Sequence, residues 1–131
     1  MKITPLVPPR EFAVGEGRHV VLKDCARLEL EPDEQVTFVT PSGAEYDIAR
    51  KTWGFYATPS LNGRLARFGW RSALVRSPAA KYYIFLVEDG HDADLRRYLA
   101  EEGLAVVCWL DRDADLDRLE RGLGVFRGQG A

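Results

Sequence analysis

Between residues 26 and 50 apolar and polar side chains alternate, and that period of two constrains the fold more than any other feature of the chain. In "ARLEL", Leu28 and Leu30 share one face, and Arg27, Glu29 and Glu31 share the other. In "QVTFVT", Val36, Phe38 and Thr40 oppose Thr37 and Val39; "PSG" then makes a turn and "AEYDIA" starts a further strand. Such runs, bounded by turn residues, read as half-buried antiparallel strands. "HVVL" is a further strand candidate, separated from "ARLEL" by a turn at "KDC", and "PLVPP" reads as an extended arm because each proline restricts its predecessor.

The second half changes rhythm. "RSALVR" and "KYYIFLVE" are β-prone runs joined by "SPAA", which predicts a hairpin. "HDADLRRYLAEEG" predicts a helix, with Leu95, Tyr98 and Leu99 on its apolar side, acids in its first turn and Gly103 at its end. "LAVVCWL" is nearly continuous in apolar residues and reads as a central strand covered on both faces. "DADLDRLERGLG" offers a last helix with Leu116, Leu119 and Leu123 inward, followed by a frayed tail, "FRGQGA". The expected class is α+β: an antiparallel or mixed sheet with two helices packed on it, a β meander followed by β-β-α-β-α.

A chain of 131 residues fits a single domain, 1–131; an alternative has sublobes 1–50 and 70–124 joined by the segment 51–69. The opening "MKITPLVPPREF" is too weakly apolar for a signal peptide, and no apolar run reaches membrane-spanning length, so a cytoplasmic protein without membrane contact is expected. Cys25 and Cys108 make no disulfide framework and have no CxxC or HxxC partner; Cys108, inside an apolar run, reads as a small core residue. No metal and no cofactor is called for.

The net charge of −2 hides an asymmetry. Residues 48–87 carry Arg50, Lys51, Arg64, Arg67, Arg71, Arg76 and Lys81 and no Asp or Glu, whereas residues 88–120 are strongly acidic. Either the two sections screen one another, or the basic one forms a pocket that attracts anions. Within it, "KTWGFYATPSLNGRLARFGWR" crowds aromatic residues around a turn. As a strand, "TWGFYAT" sets Trp53, Phe55 and Ala57 on one, core, side and leaves Tyr56 nearer solvent. Ser60 then caps a helix beginning at Leu61, with Leu61, Leu65 and Phe68 at helical spacing; alternatively Asn62-Gly63 makes a tight turn. Rings, hydroxyls, amides and arginine forks suit a sugar phosphate or nucleotide sugar. The candidate ligand-binding residues are Trp53, Tyr56, Ser60, Asn62, Arg64, Arg67 and Arg71. The competing reading puts Trp53 and Phe68 in the core and pairs Arg64 with the acids of residues 88–102.

The stretch "KTWGFYATPSLNGRLARFG", followed by "ALV", "YYIFLVE" and "CWLD", resembles small uncharacterised bacterial proteins associated with surface-carbohydrate biosynthesis, over residues 45–111. The resemblance implies a sugar-containing ligand and brings no catalytic residue or cofactor with it.

No pattern marks an enzyme. His91, among acids near a helix start, reads as a solvated helix cap or a local salt bridge, and His19 as a strand-end residue. Ser60 lacks a base pattern. The acids of "DRDADLD" lack the closing glutamate of a calcium loop and read as a helix cap. No GxGxxG or GxxxxGK[ST] occurs. Nucleic acid is disfavoured by the net charge and the scarcity of lysine in the basic section. The expected function is binding of an anionic, sugar-containing metabolite, with catalysis open. The alternative is a homodimer or accessory subunit that grips its partner through the aromatic and arginine surface.

Overall fold

The computed structural model describes residues 1–128 and is α+β, as the two rhythms of the sequence require. Strands β1 (Lys2–Val14) and β2 (Val20–Glu29) form a two-stranded ribbon, joined by a 3-10 turn at Glu16–Arg18. Strands β3 (Gln35–Val39), β4 (Glu45–Lys51) and β5 (Gly54–Ala57) form one three-stranded sheet in that order. Strands β6 (Trp70–Arg76), β7 (Tyr82–Glu88) and β8 (Ala105–Trp109) form a second, in the order β7-β6-β8. Every pairing is antiparallel. The helices are α1 (Arg64–Arg67), a single turn, α2 (Asp92–Glu102) and α3 (Asp113–Leu123).

Local chemistry explains most boundaries. Gly103 ends α2 in a left-handed conformation, φ +66°, and Leu104 N–H closes back on the Leu99 carbonyl at 2.8 Å. Asp92 and Asp94 occupy the first turn of α2, and Asp113 and Asp115 that of α3, where carboxylates offset the exposed backbone donors. Ser77 N–H donates to the Lys81 carbonyl at 2.8 Å and closes the β6–β7 hairpin over "SPAA".

Several expectations are corrected. The "KDC" segment is no turn: Lys23, Asp24 and Cys25 lie within β2, Lys23 and Asp24 paired to Glu11 and Arg10 across the ribbon, and the extended arm is the paired strand β1. The prolines of the arm fall where the register breaks, between Pro5 and Arg10, so the missing donors fall at the irregularity. β8 is an edge strand, with Val107 half exposed; the central strand is β6, where Ser72, Ala73 and Val75 are fully buried. In α3, Leu116 is half-buried while Leu119 and Leu123 are exposed. The helix expected from Leu61 shrinks to α1, and Cys108 is only half-buried. Of the tail expected to fray, residues 129–131 lie outside the described residues.

The core is small and lies between the two three-stranded sheets. Ala44, Leu65 and Trp70 form its buried cluster, with Tyr46, Phe68 and Leu86 packed against it. Trp70 Nε1 donates to the Glu45 carbonyl at 2.7 Å, so one side chain of β6 satisfies the first residue of β4. Gly69, at φ +91°, lets the chain enter β6 against Ala44; an added Cβ would stand 3.3 Å from that methyl. Because Leu65 is fully buried in this cluster, Leu65→Ala should destabilise the fold by about 2–5 kcal/mol, read as a lower urea midpoint at unchanged slope.

Candidate functional site

The residues picked out by the sequence do not converge on one cavity. Trp53 occupies the two-residue turn between Lys51 and Gly54, which are register partners, and is 69% exposed. This corrects its assignment to the core side of a strand: the turn takes it out of the pleat, and Phe55 is exposed as well. Trp53 and Tyr56 do meet, their ring centroids 6.0 Å apart and tilted by 31°. Ser60 Oγ accepts the backbone N–H of Arg64, the first residue of α1, at 3.1 Å, although the N-cap position itself is Gly63. Asn62 Nδ2 donates to Asp113 Oδ1 at 2.8 Å.

The arginines are drawn to carboxylates. Arg64 pairs with Asp47 at 3.6 Å and lies over the Phe68 ring at 5.1 Å. Asp47 is buried and also accepts the Thr37 hydroxyl at 2.6 Å, so its charge is met from two sides. Arg71 forks onto Asp111, Nε to Oδ2 at 2.8 Å and Nη2 to Oδ1 at 3.4 Å, with its guanidinium 3.8 Å above the centroid of Trp109. The Asp111 hydrogen bond raises the Arg71 pKa further, fixing its charge. Arg67 is exposed, at a depression of about 230 Å³ that Ser42, Glu88 and Asp89 also line. The screening reading therefore describes Arg71, whose partner Asp111 lies in the acidic section; Arg64 instead takes Asp47, which lies outside both sections and is not among the acids of residues 88–102 expected for it.

A different basic cleft forms where the ribbon meets β4 and β5. About 460 Å³ in volume, it is lined by Lys2, Thr4, Arg27, Leu28 and Glu29 from the ribbon, by Leu30 just after it, and by Arg50 and Phe55 from the sheet. Ladder register explains the grouping. Lys2 opposes Glu29 and Thr4 opposes Arg27, so these four share the polar face of the ribbon, while Arg50 opposes Phe55 in the β4–β5 pair. The Arg50 guanidinium stands 5.7 Å from the Phe55 centroid, and its Nη1 is buried with no hydrogen-bond partner among the described residues. A buried donor of that kind is costly to leave unmade and suits an incoming acceptor.

Sequence reasoning named Arg50 only as part of the basic section and missed Lys2 and Arg27. Their signal was the length of β2, hidden by reading "KDC" as a turn. Among the described residues no three His, Cys, Asp or Glu side chains lie close enough to hold a metal, and no helix is long and apolar enough to cross a membrane. No family model matches the chain, and no curated protein or solved structure is similar to it.

His91 forms the local salt bridge expected of it, with Nδ1 2.9 Å from Asp94 and Nε2 3.8 Å from Glu88. Glu88 accepts hydrogen bonds from Ser42 and Thr40, the latter at 2.9 Å, and these hold its carboxyl below the usual range. The stabilisation such a lowered carboxyl provides is complete above its unfolded pKa of about 4.3 and disappears as pH falls through the lower folded value. Glu88→Gln should therefore be less stable than the parent at pH 7, with the gap closing on acidification below about pH 4.3, in denaturant melts taken across pH.

Proposed function

We propose that the chain binds a small anionic metabolite in the cleft between the ribbon and the β4–β5 hairpin. The observation that carries this reading is Arg50, which lines the cleft with Lys2 and Arg27 and whose Nη1 is buried with no hydrogen-bond partner among the described residues. Glu29 is the one acid in that lining, so the cleft keeps a cationic surplus. A phosphate or carboxylate would accept from the guanidinium in a charge-assisted hydrogen bond, with Lys2 and Arg27 adding attraction that salt weakens. A sugar moiety is supported by the resemblance over residues 45–111 and by the exposed Trp53–Tyr56 ring pair. Catalysis is not part of the proposal, since no activated nucleophile or acid–base pair stands at the cleft.

A second reading, an accessory subunit gripping a partner, is supported by the same ring pair, because Trp53 and Tyr56 are exposed and are residue types that anchor interfaces.

Amide NMR titrations with inorganic phosphate, sugar phosphates and nucleotide sugars test the first reading. Saturable shifts at Lys2, Arg27 and Arg50 are expected, and Arg50→Gln should weaken binding by tenfold or more, as loss of a charged hydrogen bond of about 1.5–3 kcal/mol implies. Arg64→Ala, which removes a guanidinium already paired with Asp47, should leave the affinity within about twofold, a difference of about 0.4 kcal/mol. Shifts confined to residues 53–71 would move the site to the aromatic segment, and silence across the panel would defeat the metabolite reading.

A further inference from the structure

The chain exposes far more surface than a compact molecule of its size. Its accessible area is 9627 Å² for 14.7 kDa. Compact monomers of that mass expose about 6,900 Å², so the excess is roughly 2,700 Å². The ribbon and the extended segment after α3 both contribute, and the ribbon does so with an ordered, patterned surface.

Register shows the pattern. Ile3 opposes Leu28, Pro5 opposes Ala26, Phe12 opposes Leu22, and Val14 opposes Val20, so these eight residues lie on one face. The opposite face carries Lys2, Thr4, Glu11, Lys23, Arg27 and Glu29, with Ala13 and Val21 near the tip. The ribbon is thus amphipathic over most of its length, and the segregation continues across the register break, which leaves residues 6–9 of β1 and Cys25 of β2 without ladder partners. Yet the apolar face is uncovered: Ile3 is 55% exposed, Leu22 46%, Phe12 39% and Leu28 38%. A two-stranded ribbon standing alone is marginal in water, and an apolar face of this kind asks for a cover.

We propose that the cover is the same face of a second copy of this chain, related by a two-fold axis. Two observations select a second copy. The excess area exceeds the roughly 800 Å² per partner that a stable dimer removes from water, so such an interface would bring the chain towards the surface expected of a protein of its mass. The face is also self-compatible in charge. Its only ions, Arg10 and Asp24, oppose one another in the ladder and already pair at 3.3 Å, with the Arg10 guanidinium 5.1 Å from the Phe12 centroid. Antiparallel docking of two such faces sets Ile3 and Leu28 of one copy against Phe12 and Leu22 of the other, and leaves no unpaired like charges opposed.

The test is the mass of the full chain in solution by light scattering, from micromolar to about 100 μM. A mass twice 14.7 kDa is expected. Leu22→Glu should raise the dimer dissociation constant at least tenfold, while Val21→Glu, on the opposite face, should leave it unchanged. Circular dichroism confirms that each variant is folded. Hydrogen exchange on the unmutated chain gives an independent reading, with amides of β1 and β2 expected to gain protection as concentration rises. A monomer at all concentrations overturns the proposal, as does a dimer that Trp53→Ala dissociates and Leu22→Glu does not. Neither result by itself decides whether an anion binds at Arg50, which is titrated separately.

Discussion

The hydrogen bond from the Trp70 indole to the Glu45 carbonyl holds this molecule together. It joins the first residue of β6 to the first residue of β4, which belong to separate sheets with no ladder between them. Around it the joint is dense. Leu65 and Ala44 close the apolar side, the Asp89 N–H reaches the Gly69 carbonyl at 2.9 Å, and the Thr40 and Ser42 hydroxyls reach Glu88. Ladders give each sheet its internal order, and this joint relates one sheet to the other. The fully buried positions are few and small, Leu65, Ser72, Ala73 and Val75, so there is little other apolar burial to share the task.

The charge asymmetry of the sequence is met from outside the basic section. Asp47, in β4, takes Arg64, and Asp111, just past β8, takes Arg71. Lys51 takes Asp33 at 2.5 Å, a contact that raises the lysine pKa. What remains of the basic character lies at Arg50 and on the ribbon, which is why the cleft, and not the arginine-rich turn, carries the functional proposal. Arginine content alone could not have separated these cases, because a fork suits a structural carboxylate as well as a ligand.

Periodicity made the α+β class legible, together with the hairpin over "SPAA", the bounds of α2 and the existence of α3. Those features are set by side chains within about ten residues of one another. What stayed hidden depends on neighbours distant in sequence. The apolar run of β8 looked central, but an edge strand with partial cover can be just as apolar as an inner one. Trp53 looked like core because the strand pattern runs through it, whereas a two-residue turn at Thr52 and Trp53 swings the ring into solvent. The ribbon was cut in two at "KDC" because a charged pair next to a cysteine resembles a turn; in the fold Asp24 instead meets Arg10 across the ladder. Lys2, Arg27 and Arg50 come together only through that ladder, so the cleft could not be read from spacing.

The two faces of the ribbon differ by one residue along each strand, and this ties the two proposals to one element. Lys2 and Arg27 line the cleft; their neighbours Ile3 and Leu28 lie on the apolar face, Leu28 also reaching the cleft's edge. Strands cannot order one face without ordering the other, because side chains on both leave a single backbone. A second copy that covers Ile3 and Leu28 would hold Lys2 and Arg27 in place, lowering the cost of fixing them around an anion. By linkage, an anion bound at Arg50 would favour the dimer by the same factor. The tip of the ribbon is already anchored: His19 meets the buried Glu102 at 2.8 Å, and Gly15 lies so close to that carboxylate that an added Cβ would stand 2.8 Å from Oε2. With its tip fixed at the end of α2 and its base beside β4, the ribbon spans both sheets, and ordering it would brace the joint at Trp70 from outside.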